Sequence, residues 1–163
     1  MTDTPSTSGR DTAGVIAPPP LIFLAFLIAG VALEYGVVRT QGLDMPASLR
    51  WTAVALFALA GAAFIAAAVR NFGKAGTPPP PWQPTTALVV TGIYRFTRNP
   101  MYLGMTLLYI ALGIAANAPV VFWLLIPLIM TIHYGVIVRE ERYMAAKFGT
   151  PYIDYAHRVP RWL

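Results

Sequence analysis

Charged side chains are absent from three long stretches of the chain. The first two run from Thr12 to Leu33 and from Trp51 to Val69, and the third runs from Asn99 to Val138. A helix needs about 20 residues to cross the hydrocarbon core of a bilayer, so the third stretch is long enough for two helices, with a natural break at Asn117-Ala118-Pro119. The pattern therefore predicts four membrane helices, at residues 20–38, 47–70, 100–117 and 119–138.

The composition agrees with a chain whose surface meets lipid. Of the 163 residues, 56% are hydrophobic and 12% are charged, whereas an ordinary soluble domain has about 25% charged residues. No alternating strand pattern competes, and helices satisfy their own backbone hydrogen bonds in lipid. We therefore predict an all-α, multi-pass membrane protein with a single domain over residues 20–163, a helical tail at 139–163, and a polar, disordered tail at residues 1–19.

The cysteine and histidine counts narrow the possible chemistry. The chain has no cysteine and two histidines. Disulfides, thiolate metal sites and a cysteine nucleophile are excluded, and we predict no metal site.

Basic residues lie mostly on one side of the predicted helices. Ten of the twelve Lys and Arg residues fall in the N-terminal tail, around the connection between the second and third helices, and in the C-terminal tail; the exceptions are Arg39 and Arg50. The positive-inside rule therefore predicts that both termini are cytoplasmic. This asymmetry accounts for the net charge of +5, and we expect no nucleic-acid partner.

One polar and aromatic cluster on the predicted cytoplasmic side reads TGIYRFTRNPMYLG, from Thr91 to Gly104. Asn99 followed by Pro100 is typical of a helix start, with Asn as the cap and Pro in the first position. Arg98 then lies at the positive end of the third helix, where backbone N–H groups and a guanidinium can bind an anion. The alternative is a capped helix whose arginine meets lipid phosphates. Tyr102, four residues on, can share the face of Arg98.

The second cluster, from Arg139 to Arg142, contains the adjacent acids Glu140 and Glu141 and is predicted to follow the fourth helix directly. The two acids either form weak ion pairs on a solvated surface, or one of them turns inward to receive a cationic group. Beyond them, Gly149 is typical of a helix end. The aromatic tail that follows either lies on the membrane surface or folds over a pocket.

Three residues inside the predicted helices also raise functional questions. Ionisable groups in a membrane are functional by default, but Glu34 falls near the outer surface, so we interpret it as a hydrated interfacial acid. His133 is either a packing residue or a catalytic one. Pro127 is expected to kink the fourth helix.

Taken together, the two clusters resemble the isoprenylcysteine carboxyl methyltransferase and phospholipid methyltransferase superfamily. The resemblance covers about half of the chain, from Thr85 to Leu163. It rests on an Arg-x-Pro-x-Tyr-x-Gly block, a double Glu and a Phe-Gly-x-x-Tyr-x-x-Tyr block, in that order.

The resemblance implies an integral membrane enzyme that transfers a methyl group from S-adenosylmethionine to a lipid or amphipathic substrate. The cofactor would lie between the last two membrane helices and the C-terminal tail. By this likeness Arg98, Glu140 and Glu141 are candidate catalytic residues. The candidate cofactor contacts are Tyr94, Arg98, Asn99, Pro100, Tyr102, Gly104, His133, Glu140 and Glu141. Many members of the superfamily have His at the position of Asn99, and Asn can position a ligand but cannot shuttle a proton.

Two other functions fit parts of the sequence. Membrane sterol reductases, which use a nicotinamide cofactor, are similar in their C-terminal half. A non-enzymatic membrane subunit or small transporter is the other alternative, but a transporter should carry polar residues in the middle of its spans. The spans here are apolar apart from His133 and small hydroxyl or amide groups.

Overall fold

A computed structural model describes residues 12–163, and within this range the chain is helical and has no β-strand. The helical residues include two π-helical segments, Glu34–Val38 and His133–Ile137, and a 3-10 turn at Gly92–Arg95. This confirms the all-α fold class. The α-helices are α1 (Pro19–Leu33), α2 (Ala47–Lys74), α3 (Pro100–Ala115), α4 (Pro119–Trp123), α5 (Leu125–Ile132), α6 (Val138–Phe148) and α7 (Thr150–Arg158).

Three helical stretches are long and apolar enough to cross a membrane: Pro19–Val38, Ala47–Lys74 and Pro119–Phe148. Their large apolar side chains are mostly exposed, and α2 buries only 11% of its most apolar window, as expected of residues that face lipid. The protein is therefore an integral membrane protein. Because α3 has 16 residues, fewer than the 20 or so that a perpendicular crossing needs, the count of four spans stays a prediction.

The last long helix differs from the prediction at its end. It does not end at residue 138 but continues through the acidic pair to Phe148, because no helix stop occurs before Gly149, whose φ is +60°. It is interrupted at Leu124, where α4 gives way to α5. Pro127 explains this interruption, since its ring excludes the carbonyl of the residue four positions earlier, Trp123.

Glycine allows α2 and α3 to approach closely. A Cβ atom placed on Gly104 would lie 2.8 Å from the carbonyl oxygen of Gly61, and one placed on Gly61 would lie 2.7 Å from that of Gly104. Small residues are the usual means by which membrane helices pack. The main buried core lies on the other face of α3, between α1 and the long helix Pro119–Phe148. There the Tyr109 hydroxyl donates a hydrogen bond to the Val121 carbonyl at 2.9 Å.

At one end of the bundle the loops seal the core around Glu34. This carboxylate accepts hydrogen bonds from the Thr40 amide at 2.8 Å, the Thr40 hydroxyl at 2.6 Å and the Val120 amide at 3.1 Å. Asn117 accepts a further bond from the Leu43 amide at 2.9 Å. We call this group of residues (Glu34, Thr40, Leu43, Asn117 and Val120) the closed end. The expectation of a hydrated Glu34 is wrong: the residue is 2% exposed, because donors of the protein replace water around it.

The N-terminal segment lies at the opposite end. Residues 1–11 of the predicted disordered tail are outside the described range. The Ile16 amide donates to the Gly135 carbonyl at 3.2 Å, and Arg139 donates to the Gly14 carbonyl at 3.0 Å. The described part of the N-terminal tail is thus held against the long helix, at the same end as the acidic pair.

Candidate active site

The C-terminal tail folds over the segment that leads into α3. The Arg98 amide donates to the Pro160 carbonyl at 3.0 Å, and the Asn99 side-chain amide donates to the Arg161 carbonyl at 2.8 Å. The Tyr155 hydroxyl donates to the Tyr94 carbonyl at 2.8 Å. The tail was expected either to lie on the membrane surface or to fold over a pocket, and in the structure it folds over a pocket. The expectation that Asn99 caps α3 with its side chain is wrong, because its amide binds the tail instead.

Beneath the tail lies a hollow between the ends of α2, α6 and α7, the start of α3 and the proline-rich connection. It has about 820 Å³ of empty space, including the part that is open to solvent. Its walls combine apolar and aromatic side chains with a few charged groups. It is lined by Ala13, Phe72, Pro79, Pro81, Thr85, Leu88, Val89, Tyr94, Arg98, Asn99, Met101, Tyr102, Glu140, Glu141, Tyr143, Met144, Tyr152 and Tyr155.

Glu140 lies inward, on the wall of this hollow. Its carboxylate accepts a hydrogen bond of 2.6 Å from the Tyr102 hydroxyl, which joins α6 to α3. Successive residues of a helix point about 100° apart, so Glu140 and Glu141 have different partners. Glu140 has one donor among the described residues, and a carboxylate can accept several hydrogen bonds. It therefore has capacity left for a cation in the hollow.

Glu141 holds two arginines together. The Arg98 Nη1 atom lies 3.0 Å from the Glu141 Oε1 atom. The Arg161 Nε and Nη2 atoms donate to Oε1 and Oε2 of the same carboxylate at 2.9 and 2.6 Å. Of these three side chains, Arg98 and Glu141 line the hollow together with Glu140, whereas Arg161 does not. The lining therefore has one positive and two negative formal charges, and it offers contacts to ligand groups of both signs.

Arg98 keeps hydrogen-bonding capacity of its own. Its side chain is 14% exposed, and its Nε atom is buried with no hydrogen-bond partner in the described part of the chain. A buried donor without a partner is unfavourable by about 1–3 kcal/mol. Arg98, which lines the hollow, therefore has a donor that no described residue satisfies.

Tyrosines form much of the remaining polar wall. Burial raises the pKa of Tyr94 and of Tyr155 well above the ordinary value for a phenol, and burial together with Glu141 raises the pKa of Tyr152. These phenols are consequently neutral at physiological pH. Neutral aromatic rings attract a cationic ligand group through their faces.

The structure brings most, but not all, of the predicted site residues to the hollow. Tyr94, Arg98, Asn99, Tyr102, Glu140 and Glu141 line it. Pro100 is buried as the first residue of α3, and Gly104 faces α2 instead. The His133 Nε2 atom lies 3.4 Å from the Arg161 Nη1 atom, outside the lining.

Sequence reasoning missed the part that the tail contributes. From the sequence, Arg161 is only one of the basic residues that indicate the topology, and Tyr152 and Tyr155 are only part of an aromatic tail. The Phe-Gly-x-x-Tyr-x-x-Tyr block already contained both tyrosines, which could have been carried over with it. No local signal marked Arg161, because its partner Glu141 lies 20 residues away and is reached only after the turn at Gly149.

Comparison with models of known protein families identifies the family of this chain. The model of the phospholipid methyltransferase family matches residues 49–151, which is more than half of the chain and includes the start of α3 and the acidic pair. No curated protein and no solved structure matches the chain. The extent of the family match confirms the resemblance drawn from the two clusters: this integral membrane protein belongs to the phospholipid methyltransferase family.

Proposed function

We propose that the protein is an S-adenosylmethionine-dependent methyltransferase that acts on a lipid or amphipathic substrate at the membrane. Its family is one of membrane methyltransferases. The observation that carries the proposal is the convergence of Arg98, from the start of α3, and Glu140, from α6, on one hollow. This convergence supplies an anion site and a cation site within the same set of walls.

The residues present fit S-adenosylmethionine. Its amino-acid part has an ammonium and a carboxylate, and its sulfur is a sulfonium. Glu140 would pair with the ammonium. Arg98, whose Nε atom has no partner among the described residues, would pair with the carboxylate. The faces of Tyr94 and Tyr155 would lie near the sulfonium.

When bound, this cofactor supplies a methyl group that is activated by the positive sulfur. The chain then has to align donor and acceptor and keep water out. Arg98 and Glu140 fix the amino-acid end of the donor. The tail covers one side of the hollow, and apolar side chains such as Phe72, Val89 and Met101 line the remainder. These groups provide the positioning and the low water content that methyl transfer requires.

The acceptor is proposed to come from the bilayer. The hollow has apolar walls formed by Leu88, Val89 and Met101 next to its charged groups, which suits a molecule with a polar head and an apolar body. The N-terminal segment and the C-terminal tail both lie at the end of the bundle that holds the hollow. We propose that this end is cytoplasmic, where the cofactor is available, in agreement with the distribution of basic residues.

Cofactor binding by purified variants tests this proposal. Arg98→Ala and Glu140→Ala each remove one charged contact, so the affinity for S-adenosylmethionine should fall by a factor of about 100, the scale expected when a paired charged group is deleted. Titration calorimetry of the full chain in detergent measures it. Arg142→Ala is the matched control, because Arg142 is exposed on the same helix and is not part of the lining.

Unchanged affinity in both variants would contradict the proposal. So would a wild-type protein that binds a nicotinamide cofactor and not S-adenosylmethionine, since that is the outcome expected of a sterol-reductase-like enzyme. Incubation of membranes with methyl-labelled cofactor, followed by mass spectrometry of the lipids, then identifies the acceptor.

A further inference from the structure

We infer that Arg161, in the C-terminal tail, is a positioning residue that keeps Arg98 available for the anionic part of the ligand. The inference rests on the proposed function, because it concerns how the same hollow binds its cofactor. Arg98 and Arg161 compete for one carboxylate, that of Glu141, and Arg161 makes more of the hydrogen bonds to it.

The hydrogen bonds of Glu141 show this division. Arg161 binds both carboxylate oxygens through two nitrogens, at 2.9 and 2.6 Å, in the fork arrangement that is strong for arginine and carboxylate. Arg98 reaches only Oε1, with its Nη1 atom, at 3.0 Å. Arg98 is thus held in place by Glu141 without being saturated by it, and its buried Nε atom keeps an unused proton.

Arg161 itself is fixed from several directions. Its backbone carbonyl accepts bonds from the Asn99 amide at 2.8 Å and from the Thr97 hydroxyl at 3.3 Å. Its Nη1 atom lies 3.4 Å from the His133 ring, and the next residue, Trp162, packs against the main core. The side chain is 34% exposed, but its position is determined by the segment that also presents Arg98.

Removal of Arg161 changes the balance at Glu141. Within residues 12–163, Arg98 and Arg161 are the side chains that hold this carboxylate. Without Arg161, Glu141 becomes free to form the two-nitrogen pairing with Arg98 and so to neutralise it. A ligand carboxylate would then have to compete with Glu141 for the same guanidinium.

The test compares two ligands in the purified full chain. Decarboxylated S-adenosylmethionine keeps the ammonium and the sulfonium but lacks the carboxylate that Arg98 is proposed to bind. Arg161→Ala should weaken S-adenosylmethionine binding about tenfold, the scale of one charge-assisted hydrogen bond, and leave the affinity for the decarboxylated ligand nearly unchanged. Arg161→Lys keeps the charge but not the fork and should show a smaller loss with the same ligand selectivity.

A second substitution separates positioning from folding. In Arg161→Ala/Glu141→Gln the side chain at 141 is neutral and can no longer neutralise Arg98, so affinity for S-adenosylmethionine should recover relative to Arg161→Ala. Arg158→Ala is the matched control in the tail, because its Nε atom bonds only the Asp154 carbonyl within the described residues. It should change the affinity for neither ligand.

Three results would overturn the inference: no effect of Arg161→Ala on S-adenosylmethionine, an equal loss for both ligands, or no recovery in the double variant. An equal loss would mean that Arg161 merely holds the tail over the hollow. If Arg161→Ala does not fold, the affinities of Arg161→Lys for S-adenosylmethionine and for its decarboxylated form test the inference in the same way. Failure of the wild-type protein to bind S-adenosylmethionine is a different outcome, since it contradicts the proposed function itself.

Discussion

The two ends of the helical bundle each hold a glutamate, which is buried at one end and half-buried at the other, and the surroundings of the two residues differ. At the closed end, Glu34 accepts hydrogen bonds from two backbone amides and one hydroxyl, and it does not line the hollow. At the other end, Glu140 has one donor within residues 12–163, the Tyr102 hydroxyl, and it lines a hollow. An acid in a membrane protein is therefore not sufficient to mark a site. Unused hydrogen-bonding capacity beside an open space is the feature that supports the proposed site at Glu140.

Substitution of the two glutamates should give opposite results, and this is the largest effect we expect. Glu34→Ala leaves the Thr40 and Val120 amides without their acceptor, so the thermal midpoint should fall by about 5 °C or more, while the folded protein keeps its affinity for S-adenosylmethionine. Glu140→Ala should lower that affinity by a factor of about 100 and change the midpoint less, because it removes the acceptor of one hydroxyl, that of Tyr102. Thermal unfolding in detergent and cofactor titration on the same samples measure both quantities.

The contrast between the two ends would be contradicted if Glu34→Ala weakened cofactor binding as much as Glu140→Ala does. In that case the closed end would be coupled to the hollow and could not be treated as a separate structural region. Thr40→Val is a useful companion variant: it removes the hydroxyl that donates to Glu34 and should produce a smaller loss of stability in the same direction.

The glycines between α2 and α3 give an intermediate effect. Because Gly61 and Gly104 face each other, Gly61→Ala and Gly104→Ala should each lower the free energy of unfolding by about 1–3 kcal/mol through overpacking. Their effects on cofactor affinity should be equal. A loss of affinity found for Gly104→Ala alone would instead support the predicted role of Gly104 as a cofactor contact.

Two asparagines give the smallest effect. Asn99 binds the tail through the Arg161 carbonyl, whereas Asn117 accepts the Leu43 amide at the closed end. Each Ala substitution removes one hydrogen bond, which contributes about 1 kcal/mol. Asn117→Ala should cost more stability, because this residue has a φ of +51°, which Asn tolerates better than Ala. Only Asn99→Ala should also reduce cofactor affinity, by a few-fold; an equal reduction in Asn117→Ala would argue against the separation of the two ends.

Local sequence signals predicted the helices well where prolines and charges mark their ends. The first predicted helix, 20–38, corresponds to Pro19–Val38, and the third begins at Pro100 as expected. The fourth predicted span, 119–138, continues without a break into the helical tail that was predicted to follow it. Charge alone does not stop a helix, and this one continues until Gly149 provides a residue with positive φ.

The site was predictable only as far as its contacts are local. The spacing of Arg98 and Tyr102, and the adjacency of Glu140 and Glu141, placed these residues near one surface. One of the donors to Glu34 is the amide of Val120, 86 residues later. Arg161, which pairs with Glu141, lies 20 residues after it. No pattern within a helix encodes such contacts. Similarly, the place of Gly104 in the Arg-x-Pro-x-Tyr-x-Gly block does not indicate that this residue packs against α2.

A structure of the protein in a lipid nanodisc with S-adenosylhomocysteine, which keeps the ammonium and carboxylate of the cofactor, tests the central claim most directly. The account predicts density for this molecule in the hollow beneath the tail, with its ammonium at Glu140 and its carboxylate at Arg98. Density outside the hollow, or a bound molecule whose charged groups contact neither residue, would contradict it.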